Sequence, residues 1–196
     1  MNLEKQVEHK PKTEKKEFSL FSAEIFTCGK TPTTNEDNYF ASENTICVID
    51  GITSKGNLDF AGKSGGEYAS AQMAAFLEAS TSNFVGKKLA DELTNNFQRS
   101  LRELGLIKTI EEKPQARPGA VLTCARIIGD KLIVTQVNDV GFRINGAKTY
   151  QPKKEIDTVT ALKRINALKA AKAQKPTMSN EELAKIGREA ILQDLE

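Results

Sequence analysis

Asn35–Ser54, NEDNYFASENTICVIDGITS, sets an acidic pair, Glu36 and Asp37, thirteen to fourteen residues ahead of Asp50-Gly51 at the end of an apolar run. The run Thr45–Ile49 is rich in β-branched residues and bounded by Glu43-Asn44 and Asp50-Gly51, which predicts a buried strand. A shorter strand over Asn38–Ala41, joined to it by a tight turn at Ser42–Asn44, would pair antiparallel and bring Glu36 and Asp37 back beside Asp50. Three carboxylates at one sheet end repel one another unless a cation neutralises them. Their hard oxygens suit magnesium or manganese better than zinc.

Toward the N-terminus, Phe18–Cys28 alternates apolar with small or polar residues and reads as a first strand, and Gly29–Thr34 is the loop into the acidic pair. Residues 1–16 are rich in Lys and Glu and nearly devoid of apolar side chains, so they are expected to stay a mobile arm. His9, the sole histidine, lies there, where a general base would lack a fixed position.

Toward the C-terminus, a polar loop leads to a helix predicted from Gly65-Gly66 to about Ser80, with Ala69, Met73, Phe76 and Leu77 buried. The paired glycines are read as allowing close packing rather than as an anion cradle. In a second helix, Phe84 to Leu104, the residues Val85, Leu89, Leu93, Phe97, Leu101 and Leu104 recur at helical spacing before Gly105. Glu111–Pro118 reads as a charged loop. AVLTCARII and KLIVTQVND flank Gly129-Asp130 as a hairpin with a two-residue turn, Val140–Asn145 reads as another strand, and Gly146–Pro152 as its closing turn. Asp157–Gln174 is a predicted helix with Val159, Leu162, Ile165 and Leu168 on one face, and Ser179–Glu182 a capping box for a last helix.

The 196-residue chain, 39% hydrophobic and 28% charged, suffices for one sizeable core. No apolar run reaches membrane-spanning length and the N-terminus lacks signal-peptide character, so a cytoplasmic protein is expected. A net charge of +2 gives no reason to expect nucleic acid or a membrane surface as partner. The seven basic and two acidic residues from Lys153 to Lys175 read as a solvated face. Cys28, Cys47 and Cys124, odd in number and widely spaced, suit reduced, buried thiols better than disulfides or a zinc site.

Taken in order, NEDNYF, CVIDG, the helix start GGEYAS and PGAVLTCARIIGDKLIVTQVND resemble the PPM-type (protein phosphatase 2C) metal-dependent Ser/Thr phosphatases over about Phe18 to Asn145. The resemblance implies an α+β fold, a four-layer α-β-β-α sandwich of two antiparallel sheets flanked by helices. It implies phosphomonoester hydrolysis of a phosphorylated protein by a water activated by two Mn or Mg ions, with a third ion held more loosely. Glu36 would ligate one metal, Asp37 would support the metal waters, Asp50 would bridge both ions and Gly51 would offer its carbonyl. Asp139 would help hold the third ion.

The departures are specific. Pro32 stands where the family often has an arginine for the substrate phosphate, leaving Lys30 as a substitute without the bidentate fork. Ile52 follows Asp-Gly where many members have histidine, and the later strand motifs are loosened to Gly119-Ala-Val-Leu and Asn138-Asp-Val-Gly. Nothing after Tyr150 resembles the family's later metal aspartates, so the chain reads as the front portion of a phosphatase domain, incomplete at the C-terminus. The expected organisation is an arm over 1–16, a phosphatase-like core over 17–152 and a helical flap over 153–196. An unpaired sheet edge would then invite oligomerisation. The alternative to a phosphatase is a catalytically inactive, phosphatase-like binding or regulatory domain. A third reading is an α+β domain whose acidic turns are only turns.

Overall fold

The computed structural model describes residues 12–29, 31, 34–53, 58–152 and 155–192. The chain divides into two compact units, residues 1–152 and 153–196.

In the first unit, β3 (Asn38–Ser42), β4 (Thr45–Ile52), β5 (Gly119–Ile128) and β6 (Lys131–Val137) form an antiparallel sheet in the order β3-β4-β5-β6. Two ribbons accompany it: β1 (Lys12–Glu17) with β2 (Ser22–Thr27), and β7 (Phe142–Ile144) with β8 (Lys148–Tyr150). The helices are α1 (Gly65–Ala79), α2 (Gly86–Glu103) and the short α3 (Ile107–Glu112), followed by a 3-10 turn at Pro114–Ala116. The protein is thus α+β, with helices packed on antiparallel strands.

Alternation along β4 organises the sheet. Thr45, Cys47, Ile49 and Gly51 are buried on the face that carries the helices, and Val48, Asp50 and Ile52 are exposed on the other. Against the buried face, Cys47, Ile49, Leu122 and Cys124 pack with Leu77 of α1 and with Leu89 and Leu93 of α2. A second cluster, Phe60, Tyr68, Ala69, Phe97, Leu101 and Ile110, seals α1, α2 and α3 together. In it the Tyr68 ring stacks on Phe60 at 5.7 Å between centroids. Arg126, 5% exposed, ties the sheet to the α1–α2 connection: Nε donates to Thr45 Oγ1, and one terminal nitrogen donates to the carbonyls of Ser82 and Phe84, each at 2.9 Å. The β5–β6 hairpin closes at Gly129, whose φ of +61° is the conformation that the two-residue turn demands and glycine supplies without strain.

Several expectations need correcting. Lys12–Lys16, placed in a mobile arm, belong with Glu17 to β1, because backbone pairing with β2 and the contact of Glu14 with the Tyr39 hydroxyl order a segment too polar to be held by burial. The remainder of that arm, with His9, lies outside the described residues. Glu111–Pro118 is not a plain loop: its first residues finish α3, anchored by buried Ile110, and Pro114 opens the 3-10 turn. The turn over Gly146–Pro152 contains β8, because Asn145 (φ +51°) and Gly146 (φ +67°) reverse the chain early. Cys28 is exposed, since it lies beyond the end of β2.

The second unit is a helical hairpin of α4 (Glu155–Gln174) and α5 (Asn180–Leu192). Leu168 and Ala171 turn inward, and Gly187 lets α5 approach α4, where a Cβ would lie 3.1 Å from Arg164 Cγ. Val159, Leu162 and Ile165 are exposed, whereas Leu168 is half-buried. Three-residue steps fall about 60° short of a full turn each time, so the apolar row winds around the helix. The predicted capping box is present: Ser179 N–H donates to Glu182 at 2.7 Å, and Glu182 N–H donates to Ser179 Oγ at 3.2 Å.

Candidate functional site

The end of β4 is built from its ladder with the segment leading into β3. The paired register Asn38↔Ile49 continues outward, because Gly51 N–H donates to the Glu36 carbonyl at 3.1 Å. Residue 36 therefore opposes residue 51 in a hydrogen-bonded pair, and Asp37 opposes Asp50 in the next, non-hydrogen-bonded pair. In such pairs Cα atoms stand about 4.5 Å apart and side chains project together from one face. The pleat separates the acidic pair: Glu36 is 8% exposed and faces the helices, and Asp37 is exposed and faces outward with Asp50.

Outward, Asp37 and Asp50 line a groove of about 520 Å³. Thr27 at the end of β2, Cys28 just beyond it, Val48 and Val140 also line this groove. The walls are fixed by local hydrogen bonds. Asn35 Nδ2 donates to Thr27 Oγ1 at 2.9 Å, and Asn35 Oδ1 accepts from Asp37 N–H at 3.0 Å. Both Thr123 Oγ1 and Gln136 Nε2 donate to the Val140 carbonyl. Asp139 sits in this last turn, next to Val140 and after Asn138, whose φ is +66°.

Inward, Glu36 accepts at Oε1 from Ser64 Oγ at 2.8 Å and at Oε2 from Thr53 Oγ1. Ser64 is also the N-cap of α1, taking the Glu67 N–H in a capping box. The glycines make this approach possible: a Cβ on Gly66 would lie 2.8 Å from Glu36 Oε1, and one on Gly51 would lie 2.5 Å from the carbonyl oxygens of both Glu36 and Gly66. Gly66 thus serves close packing.

The structure brings Asp37, Asp50 and the Asp139 turn to one end of the sheet, and buries Glu36 against the start of α1. Lys30 lies outside the described residues. Among the described residues no three Asp, Glu, Cys or His side chains gather closely enough to hold a metal ion. The sequence reading did not find Ser64 and Thr53 as partners of Glu36. The Ser64-x-x-Glu67 spacing before the helix was the available signal for the first, and Thr53 had none.

No protein-family model and no curated protein matches the sequence. Among solved structures the chain is similar to the serine/threonine phosphatase PstP/Ppp of Mycobacterium tuberculosis, at 18% identity and a TM-score of 0.41 over 88% of this chain and 60% of that one. It is also similar to the catalytic domain of the serine/threonine protein phosphatase PstP in complex with two manganese ions, at 17% identity and a TM-score of 0.42 over 88% of this chain and 62% of that one. The chain therefore spans about three fifths of the length of these structures. Among the described residues no helix is long and apolar enough to cross a membrane.

Proposed function

We propose that the protein is a metal-dependent phosphatase acting on phosphorylated serine or threonine in proteins, with its reaction centre in the groove at the end of β4. The observation that carries the reading is the opposed pair Asp37 and Asp50. Two carboxylates directly across a ladder repel each other, and a divalent cation between them turns that repulsion into attraction. Their all-oxygen donor set fits manganese or magnesium. When bound, such ions lower the pKa of water and neutralise the charge of a phosphoryl group.

Within this reading, Asp50 and Asp37 hold the cation, and Asp139 approaches from the neighbouring turn. Glu36 acts from behind, through Ser64, Thr53 and the carbonyl that receives Gly51 N–H, to fix the end of β4. The carbonyl of Gly51 and the side chain of Lys30 remain parts of the proposal, the latter as an electrostatic contact to the substrate phosphate.

The reading predicts manganese-dependent hydrolysis of a phosphothreonine peptide, lost in Asp50→Asn with the melting temperature unchanged because Asp50 is exposed. The engagement of Glu36 by two hydroxyls favours the second reading, a phosphatase-like domain that binds a partner without turnover. Hydrolysis absent with and without metal, from a protein that still binds the peptide, would select it.

A further inference from the structure

Cys47 and Cys124 are direct partners across β4 and β5. Ile127 N–H donates to the Asn44 carbonyl at 2.8 Å, which makes 44 and 127 a hydrogen-bonded pair and fixes the alternation along the ladder. Residues 46 and 125 form the next hydrogen-bonded pair, so 47 and 124 form a non-hydrogen-bonded one. That geometry sets Cα atoms about 4.5 Å apart with side chains on one face, at the short end of the range a disulfide spans. Both thiols are buried, Cys47 at 0% and Cys124 at 2% exposed.

The pair is electrostatically unequal. The Cys47 thiol donates to the Val48 carbonyl at 4.0 Å, and the closeness of the two sulfurs raises the pKa of Cys47 and lowers that of Cys124. The Arg126 guanidinium, buried two residues along the same face of β5, favours the Cys124 thiolate further. Burial opposes this shift at Cys124, so what the fold supplies is a directly facing pair of sulfurs beside a buried cation.

We propose that Cys47 and Cys124 are a redox-active dithiol that hydrogen peroxide closes to a cross-strand disulfide. The Cys124 thiolate attacks one peroxide oxygen; the O–O bond breaks, and with one proton taken up the products are a sulfenic acid and water. The Cys47 sulfur then displaces the hydroxyl from Cys124, forming the S–S bond and releasing a second water. Overall two thiols lose two electrons and two protons to one peroxide. Peroxide is nearly as small as water and needs only a transient opening of the core. The link would pin β4 to β5 three residues from Asp50, and it does not depend on the phosphatase reading.

The test uses Cys28→Ser, which removes the exposed thiol. The folded protein is treated with peroxide, quenched with catalase, unfolded and alkylated. Alkylatable thiols should fall from two to none per chain, the intact mass should drop by two hydrogens, and dithiothreitol should restore both. With Cys47→Ala added, Cys124 should instead be trapped by dimedone as a sulfenic acid. The Cys28→Ser protein keeps its core intact, so its mass decides the matter even if the second variant folds poorly. Two alkylated thiols after peroxide, a link between chains, or sulfinic acid in place of the internal link would overturn the proposal.

Discussion

Gly51 leaves no room for a side chain, since any Cβ would press on the backbone carbonyls of both Glu36 and Gly66. Backbone cannot swing aside as a flexible side chain can. Gly51→Ala should therefore lower stability by about 1–3 kcal/mol, as overpacking does, and urea unfolding would measure it. The same crowding explains how Glu36 tolerates burial: its oxygens receive hydroxyl hydrogens from Ser64 and Thr53 in place of water. The Glu36–Asp37 step therefore divides the work, the first residue holding the end of the sheet and the second facing the groove.

The elements show where sequence reading succeeds and where it fails. β4, α1, α2 and the β5–β6 hairpin were legible because alternation, helical spacing and a Gly-X turn each encode burial or backbone geometry locally. β1 was not, since its order comes from pairing with β2 and from Glu14 meeting Tyr39. The apposition of Asp37 and Asp50 followed from the predicted hairpin, whereas the hydroxyl partners of Glu36 arrive from a loop and a helix distant in sequence. The α5 capping box gives a pH prediction at this scale. Hydrogen bonds from the Ser179 backbone, then the contacts with Lys175 and the Ser179 hydroxyl, lower the Glu182 pKa from 4.5 to about 2. A carboxyl depressed on folding stabilises fully above its unfolded pKa, and that contribution fades as pH falls through the folded one. Helicity of the α4–α5 hairpin, followed by circular dichroism, should thus decline from pH 4.5 toward 2, and Glu182→Gln should lose this part of the pH dependence.

Across the molecule, the sheet is covered by helices on one face, and on its other face it exposes Val48 at 51% and Ile52 at 48%, with Phe26 of β2 at 65% beside the same groove as Val48. Phe26→Ser with Val48→Thr should weaken the fluorescence of a hydrophobic dye, leaving the melting temperature nearly unchanged because neither side chain is in the core. If Asp37 and Asp50 share one divalent cation, manganese added to the unmodified chain should lose its free-ion electron paramagnetic resonance signal as it binds. Binding should saturate, be abolished in Asp50→Asn and be strongly weakened in Asp37→Asn. Equal binding by all three proteins, or none by the unmodified chain, would contradict such sharing.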